Sequence, residues 1–321
     1  MTRWDSARQL LGLGKRRGTA PPAALAPRLA GRADAAPRPA APARRARSVC
    51  IASGKGGTGK SSVSASLAAL FARRGRTLLL DADLGCANAH ILQGARPERS
   101  FADVLRGDVG VPDIVTRCEN GVDLLAGGSG YASLAGLRTF ELEIIGRGLG
   151  RLEPDYDHLV VDSAAGLSRQ TVAFAAACDL TVLVTNPDLT AMTDAYAFLK
   201  VFARQCAAQG IDRPMPLLVV NRAASEEEAE GTARRLQEVV GKFLGTSVEY
   251  LAALPEDRAA YRCSQRRQTV VEGEPDSDLA RALEAVGHSV LARLARLDAA
   301  GRRPGTAGSR LAAAAPSTRG L

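Results

Sequence analysis

Residues 54–61 read Gly54-Lys55-Gly56-Gly57-Thr58-Gly59-Lys60-Ser61, and no other stretch limits the possible folds of this chain as tightly. The spacing is G-x-x-x-x-G-K-[ST]. An apolar, β-prone run (Val49-Cys50-Ile51-Ala52) precedes it, and a helical pattern from Ser62 to Arg74 follows. Glycines let a backbone wrap closely round an anion, so that its N–H groups converge on phosphate oxygens. The helix behind the loop adds the positive end of its dipole. The stretch from Gly54 to Ser62 is therefore expected to cradle the phosphates of a nucleoside triphosphate, with Lys60 at the β- and γ-phosphates and the Ser61 hydroxyl on Mg²⁺.

Strand-like runs alternate with helical stretches over most of the chain. Strands are expected at 48–53, 77–81, 122–126, 158–162, 180–185, 216–221 and 248–254, and helices at 61–74, 133–149, 168–177, 190–209, 226–243 and 277–297. Leu78-Leu79-Leu80, Leu159-Val160-Val161 and Leu217-Leu218-Val219-Val220 are continuous apolar runs, as parallel strands covered on both faces require. The pattern predicts a doubly wound, mostly parallel α/β sheet with its ligand at the carboxyl ends of the strands.

The net charge of +8 is uneven: residues 1–48 carry eleven Lys and Arg against two Asp, which leaves −1 for the remainder. Residues 14–47 and 299–321 are rich in Ala, Pro, Arg and Gly and are expected to be disordered, flanking one P-loop domain at 48–298. Residues 1–13 contain a short amphipathic pattern, Trp4 to Leu11. A near-neutral domain argues against specific nucleic-acid binding, and the basic tails allow at most a weak contact with a membrane surface. No apolar run reaches the ~18–20 residues of a membrane span, and Met1 to Gly18 has no signal-peptide core, so a cytoplasmic location is expected, peripheral at the membrane at most. The six cysteines (Cys50, Cys86, Cys118, Cys178, Cys206, Cys263) show no C-x-x-C spacing and read as buried apolar residues or reduced thiols.

Several polar residues fall just after expected strands. Leu80-Asp81-Ala82-Asp83 sets two carboxylates on one face of an extended chain. Leu159-Val160-Val161-Asp162 ends in a carboxylate followed by Ser163, small residues and Gly166, a Walker B and switch II arrangement in which Asp162 holds Mg²⁺ through water. Asn221, at the end of another run, carries a carboxamide able to pair with both the donor and the acceptor of adenine. Asp188 and Thr190 are candidate helix caps without evident chemistry.

The lysine at position 55, one residue after the first glycine, resembles the mark of the deviant P-loop ATPases, the MinD/ParA family. That resemblance implies a homodimer formed with ATP, in which Lys55 crosses to the partner's nucleotide and stabilises charge developing on the transferred phosphoryl group. It implies further that Asp81 supports the Mg²⁺ shell, that Asp83 polarises the attacking water, and that Asn221 and Pro255 line the adenine pocket. The segments Asp81-Ala82-Asp83-Leu84-Gly85-Cys86-Ala87-Asn88 and Thr185 to Tyr196 are similar to those of the FlhG (FleN, YlxH) branch, which controls flagellar number and placement. Slow, dimerisation-coupled ATP hydrolysis and partners among FlhF-type GTPases and flagellar basal-body proteins follow from that likeness. ParA-type partition and MinD-type division-site ATPases are the alternatives. Two features depart from the branch: Ser6 stands where its activator segment has glutamine, and residues 301–321 are poor in the large apolar residues of a membrane-targeting helix.

Overall fold

The structure is a computed structural model in which residues 45–83, 87–128 and 139–299 are described. The elements in chain order are β1 (Arg47–Ala52), α1 (Lys60–Ala72), β2 (Thr77–Ala82), α2 (Ala89–Leu92), α3 (Phe101–Arg106), β3 (Val115–Arg117), β4 (Val122–Leu125) and α4 (Thr139–Leu152). The second half comprises β5 (His158–Ser163), α5 (Arg169–Ala177), β6 (Leu180–Thr185), α6 (Leu189–Ala208), β7 (Leu217–Ala223), α7 (Glu226–Leu244), β8 (Tyr250–Pro255), α8 (Arg258–Gln265), α9 (Val270–Gly273) and α10 (Asp278–Ala299).

The eight strands form one sheet in the order β3-β4-β2-β5-β1-β6-β7-β8. Every pairing is parallel except that of β3 with β4. All residues of β2, β5 and β6 are buried, which is the reason their sequences do not alternate. One apolar layer packs α3 to α7 on one face of the sheet, and the other packs α1 and α8 to α10 on the opposite face. Because β5 sits between β1 and β2, the carboxyl ends of these three strands are neighbours: Ile51 lies opposite Asp162, and Asp81 lies opposite Asp162.

Helix starts follow local chemistry. Ser100 and Asp103 form a capping box on α3, Asp188 caps α6 by accepting from Ala191 N at 2.8 Å, and Ser225 caps α7 ahead of three glutamates. The antiparallel edge strand β3 and the short helices α2, α3, α8 and α9 are additions to the pattern expected from sequence. In place of the helix expected over 133–149, α4 spans Thr139–Leu152, with 133–138 outside the described residues. The strand expected at 216–221 runs on to Ala223, through an irregularity at Arg222, whose φ is 57°. The 1–13 segment, the 14–47 linker up to residue 44, Leu84 to Cys86 and the tail from residue 300 lie outside the described residues. Among those described, no helix is long and apolar enough to cross a membrane, and Cys50, Cys118, Cys178, Cys206 and Cys263 are buried free thiols.

Candidate functional site

The loop between β1 and α1 is set by two glycines. Gly59 has φ +89°, and a Cβ there would lie 2.2 Å from Asn221 Nδ2. Gly54 lies against the backbone of α6, where a Cβ would fall 2.3 Å from the Asp194 carbonyl. A side chain at either position would push the loop off its seat. The Asn221 amide donates to the Thr58 carbonyl at 2.7 Å, tying the loop to the end of β7. Ser53 Oγ donates to the Lys55 carbonyl at 2.9 Å, and Gly166 N donates to the Ser53 carbonyl at 3.0 Å, which joins the segment after β5 to the same loop.

Lys60 lies at the loop's end with its side chain 8% exposed, and its Nζ donates to Asp162 Oδ1 at 2.9 Å. Its distance to the Ser61 hydroxyl is 3.4 Å. The same Asp162 oxygen accepts from Ser64 Oγ at 3.0 Å. Asp81, on the adjacent strand, accepts from Ala89 N at 2.9 Å and from Asp83 N at 3.2 Å. Burial, and then the charge of Asp162, push the Asp81 carboxyl up to about 7. Asp83 is half-buried beyond the strand end. The structure thus gathers Gly54 to Ser62, Asp81, Asp83 and Asp162 at the carboxyl ends of the central strands β1, β2 and β5.

Lys55 points elsewhere. Its ammonium donates to Asp188 Oδ1 at 2.9 Å and to Thr190 Oγ1 at 2.7 Å at the start of α6. The Thr190 hydroxyl, then Lys55 and the Ala191 N–H, hold the Asp188 carboxyl down at about 2. Pro255 ends β8 opposite Ala223. Sequence reasoning assigned no chemistry to Ser64, Asp188 or Thr190. The signal for Ser64 was its place one helical turn after Lys60.

The residues present suit a magnesium nucleotide. Ser61, Asp81 and Asp162 are hard oxygen donors, and few enough that Mg²⁺ keeps waters and substrate phosphates in its shell. Among the described residues no group of three His, Cys, Asp or Glu forms a closed metal cage. The Thr58 hydroxyl is buried inside the loop with no hydrogen-bond partner, as expected of a cradle built for a polar guest.

The family model described as the CobQ/CobB/MinD/ParA nucleotide-binding domain matches residues 49–270. The antiactivator FleN of Pseudomonas aeruginosa is 33% identical over 243 residues, covering 75% of this chain and 85% of that protein. The flagellum site-determining protein YlxH of Helicobacter pylori is 28% identical, over 77% of this chain and 82% of its own. Among solved structures, the septum site-determining protein MinD of Pyrococcus horikoshii, complexed with Mg-ADP, superposes with a TM-score of 0.62 at 26% identity, covering 76% of this chain and 96% of that one. The cell division ATPase MinD of Pyrococcus furiosus gives 0.62 at 25% identity, over 77% and 99%.

Proposed function

The chain belongs to the CobQ/CobB/MinD/ParA nucleotide-binding family, and from that membership we propose that it is an ATP-driven dimerisation switch acting in flagellar number, placement and assembly. As a MinD/ParA-type ATPase it takes a nucleoside triphosphate as substrate. The observation that carries the reading is the meeting of Lys60 with Asp162, beside Asp81, at the mouth of the glycine loop.

In this reading the backbone from Gly54 to Ser62 grips the phosphates, and Lys60 leaves Asp162 for the β- and γ-phosphate oxygens. Ser61, Asp81 and Asp162 hold Mg²⁺. When bound, the ion neutralises charge on the β- and γ-phosphates. Asp83 orients a water in line with the γ-phosphate and takes its proton late. Asn221 and Pro255 flank the base. Lys55 leaves Asp188 and completes the site of a second copy, so hydrolysis depends on the dimer and turnover is slow. The flagellar role is supported by the likeness to FleN and YlxH, and it brings FlhF-type GTPases and basal-body proteins as partners. The basic tails supply at most a weak membrane-surface contact, so the protein works in the cytoplasm or at the inner face of the membrane.

Phosphate release by the full chain with ATP and Mg²⁺ tests the enzyme. Asp83→Ala should slow it by about 10²–10⁴-fold and leave ATP uptake nearly unchanged. Equal turnover in the variant removes Asp83 from the mechanism. Deleting the gene in its own cell should alter the number or position of flagella counted by electron microscopy, and an unaltered count would contradict the flagellar role.

A further inference from the structure

Ser64 lies one turn into α1 and is fully buried, at 0% exposure. Its Oγ is 2.9 Å from the Lys60 carbonyl and 3.0 Å from Asp162 Oδ1. We propose that Ser64 is a positioning residue that pins the Asp162 carboxylate for Mg²⁺ once Lys60 has left it. The inference rests on the ATPase reading above and adds a residue to it.

The hydroxyl carries one proton and has two acceptors in reach. A carboxylate is the stronger acceptor, because a hydrogen bond to an ionised group is shorter and roughly twice as strong as a neutral one. In the structure, Asp162 Oδ1 receives both the Lys60 ammonium and the Ser64 hydroxyl. A triphosphate draws the flexible Lys60 chain toward its own oxygens. Ser64 has no such freedom, since its oxygen is one bond from a Cβ fixed in a buried helix. It stays on Oδ1, and the carboxylate is held in one orientation with its second oxygen left for the ion's shell. Partners that orient a metal-binding side chain in this way commonly change metal affinity by about 10–100-fold when removed.

A simpler role exists for a helical serine, namely bonding to the carbonyl one turn back. The same helix supplies the control. Ser66 is equally buried, and its hydroxyl has no partner. Removing the Ser66 oxygen alters the helix interior without touching Asp162.

The test is isothermal titration of the full chain with ATP, in EDTA and across a series of Mg²⁺ concentrations. Ser64→Ala should raise the Mg²⁺ concentration for half-maximal ATP uptake by about tenfold or more, with metal-free ATP affinity unchanged. Ser64→Cys keeps the volume but has a weak donor, so it should behave like the alanine variant. Ser66→Ala should match the unsubstituted chain. A Mg²⁺ midpoint in Ser64→Ala equal to that of Ser66→Ala overturns the proposal, as does an equal loss of ATP affinity with and without metal. If the unsubstituted chain takes up no ATP with Mg²⁺, the ATPase reading falls and this inference falls with it. If it does take up ATP and Ser64→Ala changes nothing, this inference alone falls.

Discussion

The Lys55 ammonium sits 2.9 Å from Asp188 Oδ1, so the lysine proposed to serve a second subunit is held by a helix of its own chain. The pair is exposed, at 30% and 48%, and an exposed pair is worth about 0–1 kcal/mol. Such a tie holds the side chain in place yet yields to a triphosphate across an interface.

Asp188→Asn isolates that tie. Asparagine caps a helix as well as aspartate does, so α6 keeps its start while Lys55 loses its counter-charge. ATP-induced self-association should then appear at a lower protein concentration, by up to about thirtyfold because each dimer releases two such ties, measured by sedimentation velocity. Weaker association in the variant would mean that Asp188 belongs to the dimer contact and does not compete with it.

Asn221 is expected to act twice. Its amide nitrogen holds the Thr58 carbonyl at 2.7 Å, and its amide oxygen is left to read adenine. Asn221→Ala removes both and leaves a loop carbonyl unpaired, a loss of about 1–3 kcal/mol. Affinity for ATP and for GTP should both fall, with ATP falling further. Equal losses would leave Asn221 as a loop tie alone.

The buried Asp81 makes stability depend on pH. Its carboxyl is raised from 3.8 to about 7 in the fold, so the folded state holds the proton more tightly than the unfolded chain. The stabilisation from this proton is fully present below about 3.8 and is lost as pH rises to about 7. Without nucleotide and metal, Asp81→Asn should gain stability relative to the unsubstituted chain across that window, by up to about 4 kcal/mol in urea unfolding. A difference that stays flat between pH 4 and 8 would contradict this assignment.

Much of the fold was legible because its signals are local. The apolar run Leu78-Leu79-Leu80 needs only burial on both faces to become a strand, and the Gly54–Ser61 spacing states its own loop. β3 was not legible: Val115-Thr116-Arg117 is three half-exposed or exposed residues whose order comes from pairing with β4. The helix α3 could have been found from its Ser100–Asp103 capping box, whereas α2 and α9, at four residues each, owe their form to packing. At the site, the sequence placed Asp81, Asp83 and Asp162 at strand ends, but it could not show that β5 lies between β1 and β2 and so sets Asp81 beside Asp162. Nor could it show Lys55 on Asp188, or Ser64 on Asp162, because the two pairs join positions 133 and 98 residues apart in sequence.

The central claim is that ATP joins two copies through Lys55. Sedimentation velocity of the full chain and of Lys55→Ala, each with ADP and with ATP plus Mg²⁺ and paired with phosphate release, measures it most directly. The account predicts an unsubstituted chain that is monomeric with ADP and dimeric with ATP, and a variant that takes up ATP yet stays monomeric and loses turnover. A variant that dimerises and hydrolyses ATP as the unsubstituted chain does would contradict it.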